Sequence, residues 1–395
     1  MMIGWDKAQQ ATALLDEFDL GAWMILVRET GEHSDPVLKL FGDPHAVWPA
    51  AFVFARSGER IAVTGLGDDQ PVRQQGLFDP IHTYTQSIRE SLVGVLEQLD
   101  PDVIGINYSR DDVTADGLTH GMYLNLLRYL EGTPYAGRLV SAELFVEALR
   151  GRKTAGERAL VQRAIRETDA VFQEVGDWLR AGLSELEIAY FVRERVFRRG
   201  LALAWDAEGC PGLNAGPSSP WGHAGPAADV RVAAGDTLNM DLGVQVEGYC
   251  SDLQRVWYFL RPGELEPPAE VMRAFAAVAG AIQTASGLVR PGVPGWEVDA
   301  AARSYLTKAG YPEFPHALGH SVGRSAHDGG TGFYPRWDRY GGKPYGRLAA
   351  GGIYTLELGV RSPVGYIGLE EMIAITEDGC EWLSEPQRAP YLVAG

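Results

Sequence analysis

Cysteine, basic charge and long apolar runs are all scarce in this chain, and each shortage removes a class of protein. The three cysteines among 395 residues, Cys210, Cys250 and Cys380, are too few and too scattered for a disulfide framework or a thiolate metal site, which fits a reducing compartment. No stretch approaches the roughly 18 apolar residues of a membrane span, and Met1 to Gln10 carries no apolar core for export. The expectation is a soluble cytoplasmic protein without a membrane partner. A formal net charge of −17 argues against a nucleic-acid partner, which needs a basic surface.

At the usual prior of roughly 150 residues per domain the chain is long for one core, and its pattern changes near Arg150-Gly-Arg-Lys-Thr-Ala155. Residues 1–148 alternate expected strands at 23–27, 51–55, 60–64 and 103–107 with expected helices at 87–99 and 116–130, an α/β domain without a ligand cluster of its own. Residues 149–395 form a second domain that opens with an expected amphipathic helix over 155–179. Within it Arg180, Gly182, Glu187, Arg193 and Gly200 recur 110 positions later as Arg290, Gly292, Glu297, Arg303 and Gly310, each set framing a glycine turn, a helix and a glycine stop. Read as a repeat rather than coincidence, this makes the domain two similar halves whose ligands meet at their interface.

The chemistry lies in acids far apart in the chain. Thr237 to Val246 and Tyr249 to Tyr258 read as strands joined by Glu247-Gly248. Antiparallel partners have a constant index sum, odd when the loop has an even number of residues, so Asp241 and Asp252 project from one face at neighbouring or diagonal positions. The same count on 353–359 and 367–376 puts Glu357 with Glu370 and turns Glu371 to the other face, unless a bulge or an odd loop reverses the choice. Four carboxylates on one sheet repel one another unless cations neutralise them, which points to divalent metal. A fifth candidate ligand, His320, lies in Phe314-Pro-His-Ala-Leu-Gly-His-Ser-Val-Gly-Arg-Ser-Ala-His-Asp328, where Gly319 and Gly323 argue against the continuous helix of a zinc-protease motif.

Asp241-Leu-Gly with Asp252 eleven positions on, His316-x-x-Gly-His320-x-x-Gly323, His327, Thr355-Leu-Glu357-x-Gly359 and Glu370 nine before Gly379 resemble the pita-bread metallopeptidases. Within that group the resemblance is to the Xaa-Pro dipeptidases (prolidases) and aminopeptidase P. It implies an α/β (α+β) chain: an N-terminal creatinase/prolidase-like α/β domain that mediates a homodimer and walls the substrate pocket, then a methionine aminopeptidase-like catalytic domain with pseudo-twofold halves. It also implies two divalent metal ions, with Asp252 and Glu370 bridging, Asp241 completing one site and His320 with Glu357 the other. Hard oxygen ligands with one imidazole favour Mn2+, with Co2+ or Zn2+ open. The implied reaction is hydrolysis of the Xaa-Pro bond of a dipeptide by metal-activated water, with Glu357 also the general base. By the same resemblance His223, His316 and His327 meet substrate, as donors to the oxyanion or to the departing proline nitrogen; support for His320 is the alternative.

Two departures bear on specificity. The family commonly shows Glu-Pro-Gly followed two residues later by tyrosine, then an arginine two positions before the last metal glutamate; this chain has Arg361 and Gly368 at those places. Arg361 is expected to take over the arginine's grip on the substrate carboxylate, the alternative being a surface arginine beside Ser362-Pro363. The stretch 329–350 reads as a loop over the site, with Trp337, Tyr340 and Tyr345 lining an apolar pocket or packing on neighbouring helices or a second subunit. Aminopeptidase P activity on longer Xaa-Pro-Yaa peptides is the nearest rival function. A creatinase-like enzyme or a binding scaffold ranks below it, because both typically lose some of the five ligands and this chain keeps all five.

Overall fold

The computed structural model describes residues 2–220 and 225–394, in two compact units, Met1–Arg150 and Gly151–Gly395. In the first, β1 (Ala22–Val27), β2 (Ala50–Ala55), β3 (Arg60–Gly65), β4 (Ile81–Tyr84), β5 (Ile104–Ile106) and β6 (Leu139–Ser141) form one mixed sheet ordered β4-β3-β2-β1-β5-β6. β1 and β2 are buried along their whole length because both faces of the sheet are covered. Trp23, Ile25, Phe52 and Phe54 pack with Leu15 of α1 (Met2–Glu17) and Phe145 of α5 (Glu143–Gly151). Met24, Leu26, Val53 and Val63 pack with Leu92 of α3 (Arg89–Leu99) and Leu126 of α4 (His120–Tyr129), while α2 (Asp69–Gln75) follows β3. The helix expected from residue 116 begins only at His120, because the Thr119 side chain caps it by accepting from Met122 N.

The second unit opens with α6 (Ala155–Trp178) and α7 (Glu185–Arg198), both started by reciprocal capping boxes, Thr154 with Glu157 and Ser184 with Glu187. It continues with α8 (Ala269–Ser286) and α9 (Gly295–Lys308). α7 and α9 lie 110 positions apart at both ends, each entered through a positive-φ glycine (Gly182, Gly292) and left through another (Gly200, Gly310). Arg193 of α7 donates to the Cys210 carbonyl, and Arg303 of α9 donates to the carbonyls of Phe314 and His316. The sequence repeat is thus a repeat of structure.

The strands divide between a small sheet, β11-β10-β7, and a large one ordered β13-β14-β12-β9-β8 with β15 (Cys380–Trp382) on β14 and β16 (Tyr391–Val393) beside β12. Both long strands expected over 237–258 are interrupted. Gly243 separates β9 (Thr237–Leu242) from β10 (Val244–Val246), which pairs with β7 (Ala202–Leu203); Ser251-Asp252 separates β11 (Tyr249–Cys250) from β12 (Leu253–Phe259). At the break the backbones approach closely, since a side chain at Gly243 would collide with the Ser251 carbonyl. β8 (Gly212–Ala215) lies at one end of the large sheet and the hairpin of β13 (Ile353–Ser362) and β14 (Gly365–Ile375) at the other. Behind that hairpin, Ala274, Val278, Ala281 and Ile282 of α8 pack against Leu356, Leu358, Leu369 and Ile373. Strand alternation then turns Glu357 and Glu370 to the opposite face.

The stretch 329–350 contains no α-helix, only short 3-10 turns at Asp338–Tyr340 and Lys343–Tyr345. Trp337 and Tyr345 line a cavity against α9 with Trp296 and Arg303, and Tyr340 stacks on Tyr334. Trp337 and Tyr345 thus border a cavity beside a neighbouring helix, whereas Tyr340 packs within its own stretch. Among the described residues no helix is long and apolar enough to cross a membrane.

Candidate metal centre

Five residues stand in one row across the large sheet, each directly opposite the next: Gly212 on β8, Asp241 on β9, Gln254 on β12, Glu370 on β14 and Glu357 on β13. Asp252, two residues before Gln254, sits diagonally from Asp241. Glu371 points the other way, into a buried pair with Arg255. The hairpin keeps Glu357 opposite Glu370 because only Pro363 and Val364 lie between its last paired residues, Ser362 and Gly365.

His320 reaches this row from a segment lying beside β13. Thr355 N donates to the His320 carbonyl at 2.9 Å and Glu357 N to that of Leu318 at 2.6 Å. The approach is so close at Gly319 that any Cβ would strike the Thr355 carbonyl, so the residue before His320 has to be glycine. His320 Nε2 then lies 3.5 Å from Glu357 Oε1, 3.7 Å from Asp252 Oδ2 and 3.9 Å from Glu370 Oε1. A buried ion pair, Lys153 to Asp328 at 3.2 Å, pins the following loop, and Lys153 also donates to Ser321 Oγ at 3.1 Å. From that loop His327 packs edge-on against His320, ring centroids 4.1 Å apart.

Loss of solvent dominates the electrostatics. Burial raises Asp241 to about 7 and Glu357 to about 8, and with repulsion from neighbouring carboxylates it holds Asp252 and Glu370 well above their usual range. The same burial, with His327 alongside, depresses His320 to about 3, so its imidazole is neutral and has a lone pair to offer. Two buried oxygens, Asp241 Oδ1 and Glu370 Oε1, have no hydrogen-bond partner. Among the described residues, Asp252, His320 and Glu370 offer ligand atoms within 4.8 Å of one another. Orphaned acceptors, carboxyls held back from ionising and a neutral imidazole are the condition a divalent cation relieves, so the residues fit a metal.

The remaining sequence candidates are spread more widely. His316 is half-buried, its ring centroid 5.6 Å from that of Phe314, and His327 is exposed despite its contact with His320. His223 lies outside the described residues. Arg361 is four positions along β13 from Glu357, roughly 13 Å at strand rise, directly opposite Tyr366 and lining a cavity with Asn214, Ser219 and Tyr366.

Pattern reading missed two residues. Gln254 Nε2 donates to Glu357 Oε2 at 3.2 Å and to Glu370 Oε2 at 3.1 Å; extending the index count from Asp241 across to β12 would find it. Tyr366 lays its ring over the opposed glycines Gly359 and Gly368, in the space a side chain at either would need. The position where the family arginine is missing is therefore filled, from two residues away.

Residues 159–377 match the profile of metallopeptidase family M24. A putative dipeptidase of Bacillus subtilis (strain 168), YkvY, is 30% identical over 251 residues, 63% of this chain and 64% of that protein, so the match spans a little under two thirds of the relative's length. Dipeptidase PepE from Mycobacterium ulcerans has a TM-score of 0.76 at 23% identity, over 100% of this chain and 99% of that one. The Xaa-Pro dipeptidase from Bacillus anthracis has a TM-score of 0.74 at 20% identity, over 99% and 100%. At these identities the likeness is one of fold, and the fold is the mixed α/β architecture with a pita-bread domain that the residues implied.

Proposed function

The chain belongs to metallopeptidase family M24, and on that premise we propose that it is an Xaa-Pro dipeptidase working with two divalent ions, Mn2+ by the chemistry of its donors. The observation that carries this reading is the buried row of carboxylates closed by a neutral imidazole, with two acceptor oxygens left unpaired. Asp252 and Glu370 would serve both ions, Asp241 one of them, and His320 with Glu357 the other. Bound there, such ions would supply Lewis acidity to the scissile carbonyl and lower the pKa of water toward neutrality. Glu357 would take a proton from the attacking water. As the carbon–nitrogen bond breaks, that proton passes to the proline nitrogen, which leaves as a secondary amine. His316, His327 and His223 act as donors toward the oxyanion or that nitrogen. Arg361 grips the terminal carboxylate of the substrate with two parallel hydrogen bonds. Residues 1–148 mediate a homodimer and wall the substrate pocket, and the protein works in the cytoplasm.

A kinetic panel after chelation and reloading tests this. Mn2+ should restore cleavage of Xaa-Pro dipeptides and leave Xaa-Pro-Yaa tripeptides largely intact. Faster turnover of the tripeptides would make the chain an aminopeptidase P. No hydrolysis of either by the loaded protein would leave a creatinase-like enzyme or a binding scaffold.

A further inference from the structure

The stretch 329–350 leaves a cavity of about 490 Å3 against α9, within the size range of small-molecule sites. It lies apart from the metal centre. Val298, Ala302 and Leu306 of α9 join the core behind the β13–β14 hairpin, on the face away from Glu357 and Glu370. Trp296, Ala300 and Arg303, at i, i+4 and i+7 along α9, form one wall of the cavity, and Arg336, Trp337 and Tyr345 form another.

The lining holds spare donors and no spare carboxylate. Its one acid, Asp299, is buried and engaged on both oxygens: Arg303 donates to Oδ2 from Nε at 2.6 Å and to Oδ1 from Nη2 at 2.9 Å, and Leu318 N donates to Oδ1 at 3.1 Å. Arg303 is committed in turn, since its Nη groups also donate to the carbonyls of Phe314 and His316. Arg336 is the opposite case. It is exposed, its guanidinium lies 4.1 Å from the centroid of the Trp296 ring, and among the described residues it forms no ion pair or hydrogen bond. The indole N–H groups of Trp296 and Trp337 and the hydroxyl of Tyr345 likewise have no hydrogen-bond partner among the described residues, and Tyr345 is 60% exposed. A guanidinium resting on a ring keeps its edge of N–H donors free for an oxyanion.

A ligand suited to this lining brings one negative charge and a flat ring. One unpaired guanidinium matches one carboxylate, whereas a phosphate monoester carries up to about twice that charge. Aromatic walls accept a ring by offset stacking or edge contact. A free α-ammonium would find no carboxylate to pair with and would lie beside Arg336, so the amino group of the ligand has to be blocked or distant. We propose that this cavity is a second binding site, separate from the metal centre, for the carboxyl end of a peptide whose last residue is aromatic. Arg336 takes the carboxylate through two parallel hydrogen bonds, and the ring packs among Trp296, Trp337 and Tyr345. No metal ligand takes part, so the site stands or falls independently of the hydrolytic reading.

The test is calorimetric titration of the chelator-stripped full-length protein with N-acetyl-tryptophan. One saturable site should appear at millimolar probe or below, N-acetyl-glycyl-tryptophan should bind alike, and reloading with Mn2+ should leave both affinities within about twofold. N-acetyl-tryptophanamide lacks the charge, N-acetylalanine lacks the ring and free tryptophan adds an ammonium; each should bind at least about tenfold more weakly. Arg336→Gln and Tyr345→Ala, both at exposed positions, should each weaken N-acetyl-tryptophan by at least about tenfold, and a folding defect in one leaves the other to decide. No saturable binding, an affinity that appears only with Mn2+, equal binding of the amide or of free tryptophan, or an affinity unchanged in both variants would overturn the proposal. Tighter binding of adenosine monophosphate than of the peptide probes would give the cavity to a nucleotide and overturn it as well.

Discussion

Removing Glu371 tests the face of the sheet that carries no ligands. Glu371 follows Glu370 along β14 yet turns behind the sheet, where its two oxygens accept from Arg255 Nη1 at 3.1 Å and Nη2 at 3.2 Å. The two side chains are 1% and 2% exposed. Ser384 Oγ and Gln387 N complete the carboxylate's acceptor positions at 2.6 and 2.9 Å, while Arg255 donates onward to the carbonyls of Gln254, Glu370 and Glu385. In Glu371→Ala the guanidinium stays buried, with Asp169 as a weak substitute at 3.6 Å and 35% exposed. Stranding one member of a buried pair costs about 3–5 kcal/mol, and Asp169 should hold the loss near the lower end, about 3 kcal/mol. Urea unfolding of the metal-free protein followed by circular dichroism reads this directly. Arg255→Met with Glu371→Leu should cost less than Glu371→Ala alone, because no charge is then left without a partner. A loss under about 1 kcal/mol in Glu371→Ala, or a double variant weaker than the single one, would refute the reasoning. The number of Mn2+ ions bound should not change, since Glu371 faces away from the row; losing an ion would refute its assignment to that face.

Two further outcomes follow from the site. Asp241 and Glu357 sit near 7 and 8 in the folded chain against ordinary values of 3.8 and 4.5, so between those limits the folded state binds more protons than the unfolded one. The contribution of these groups is therefore fully present below about pH 4 and lost as pH rises through 8. Thermal melts in a chelator from pH 5 to 8.5 should show Tm falling and Mn2+ abolishing the fall; a Tm that rises across this window in the chelator contradicts the sign. Arg361→Ala should raise KM for an Xaa-Pro dipeptide at least tenfold with little change in kcat, and an unchanged KM would return Arg361 to the surface role beside Ser362-Pro363.

What could be read from the chain alone depends on how local the cause is. The pairing of Glu357 with Glu370 is legible because a two-residue turn sets it, and both strands run unbroken through the ligands. Over 237–258 the turn at Glu247-Gly248 is equally plain, its residues at φ 50° and 79°. The strands on either side still break, at Gly243 and Ser251-Asp252, where the Ser251 carbonyl from across the turn leaves no room for a side chain at 243. Gln254 is harder. On a strand buried at every position from Leu253 to Phe259 a single amide reads as an exception, and its meaning arises only when β14, more than a hundred residues later, arrives beside it.

The corner around Arg361 shows why position-by-position comparison reaches its limit here. Asking what replaces the arginine at 368 returns glycine, an absence. Asking what fills the space returns the Tyr366 ring, which needs both Gly359 and Gly368 bare and brings Arg361 opposite itself. The departures at 361 and 368 thus meet in one corner, where four positions on two strands share the space. Restoring arginine at 368 would drive its side chain into that ring, so in this structure position 368 has no room for the family residue.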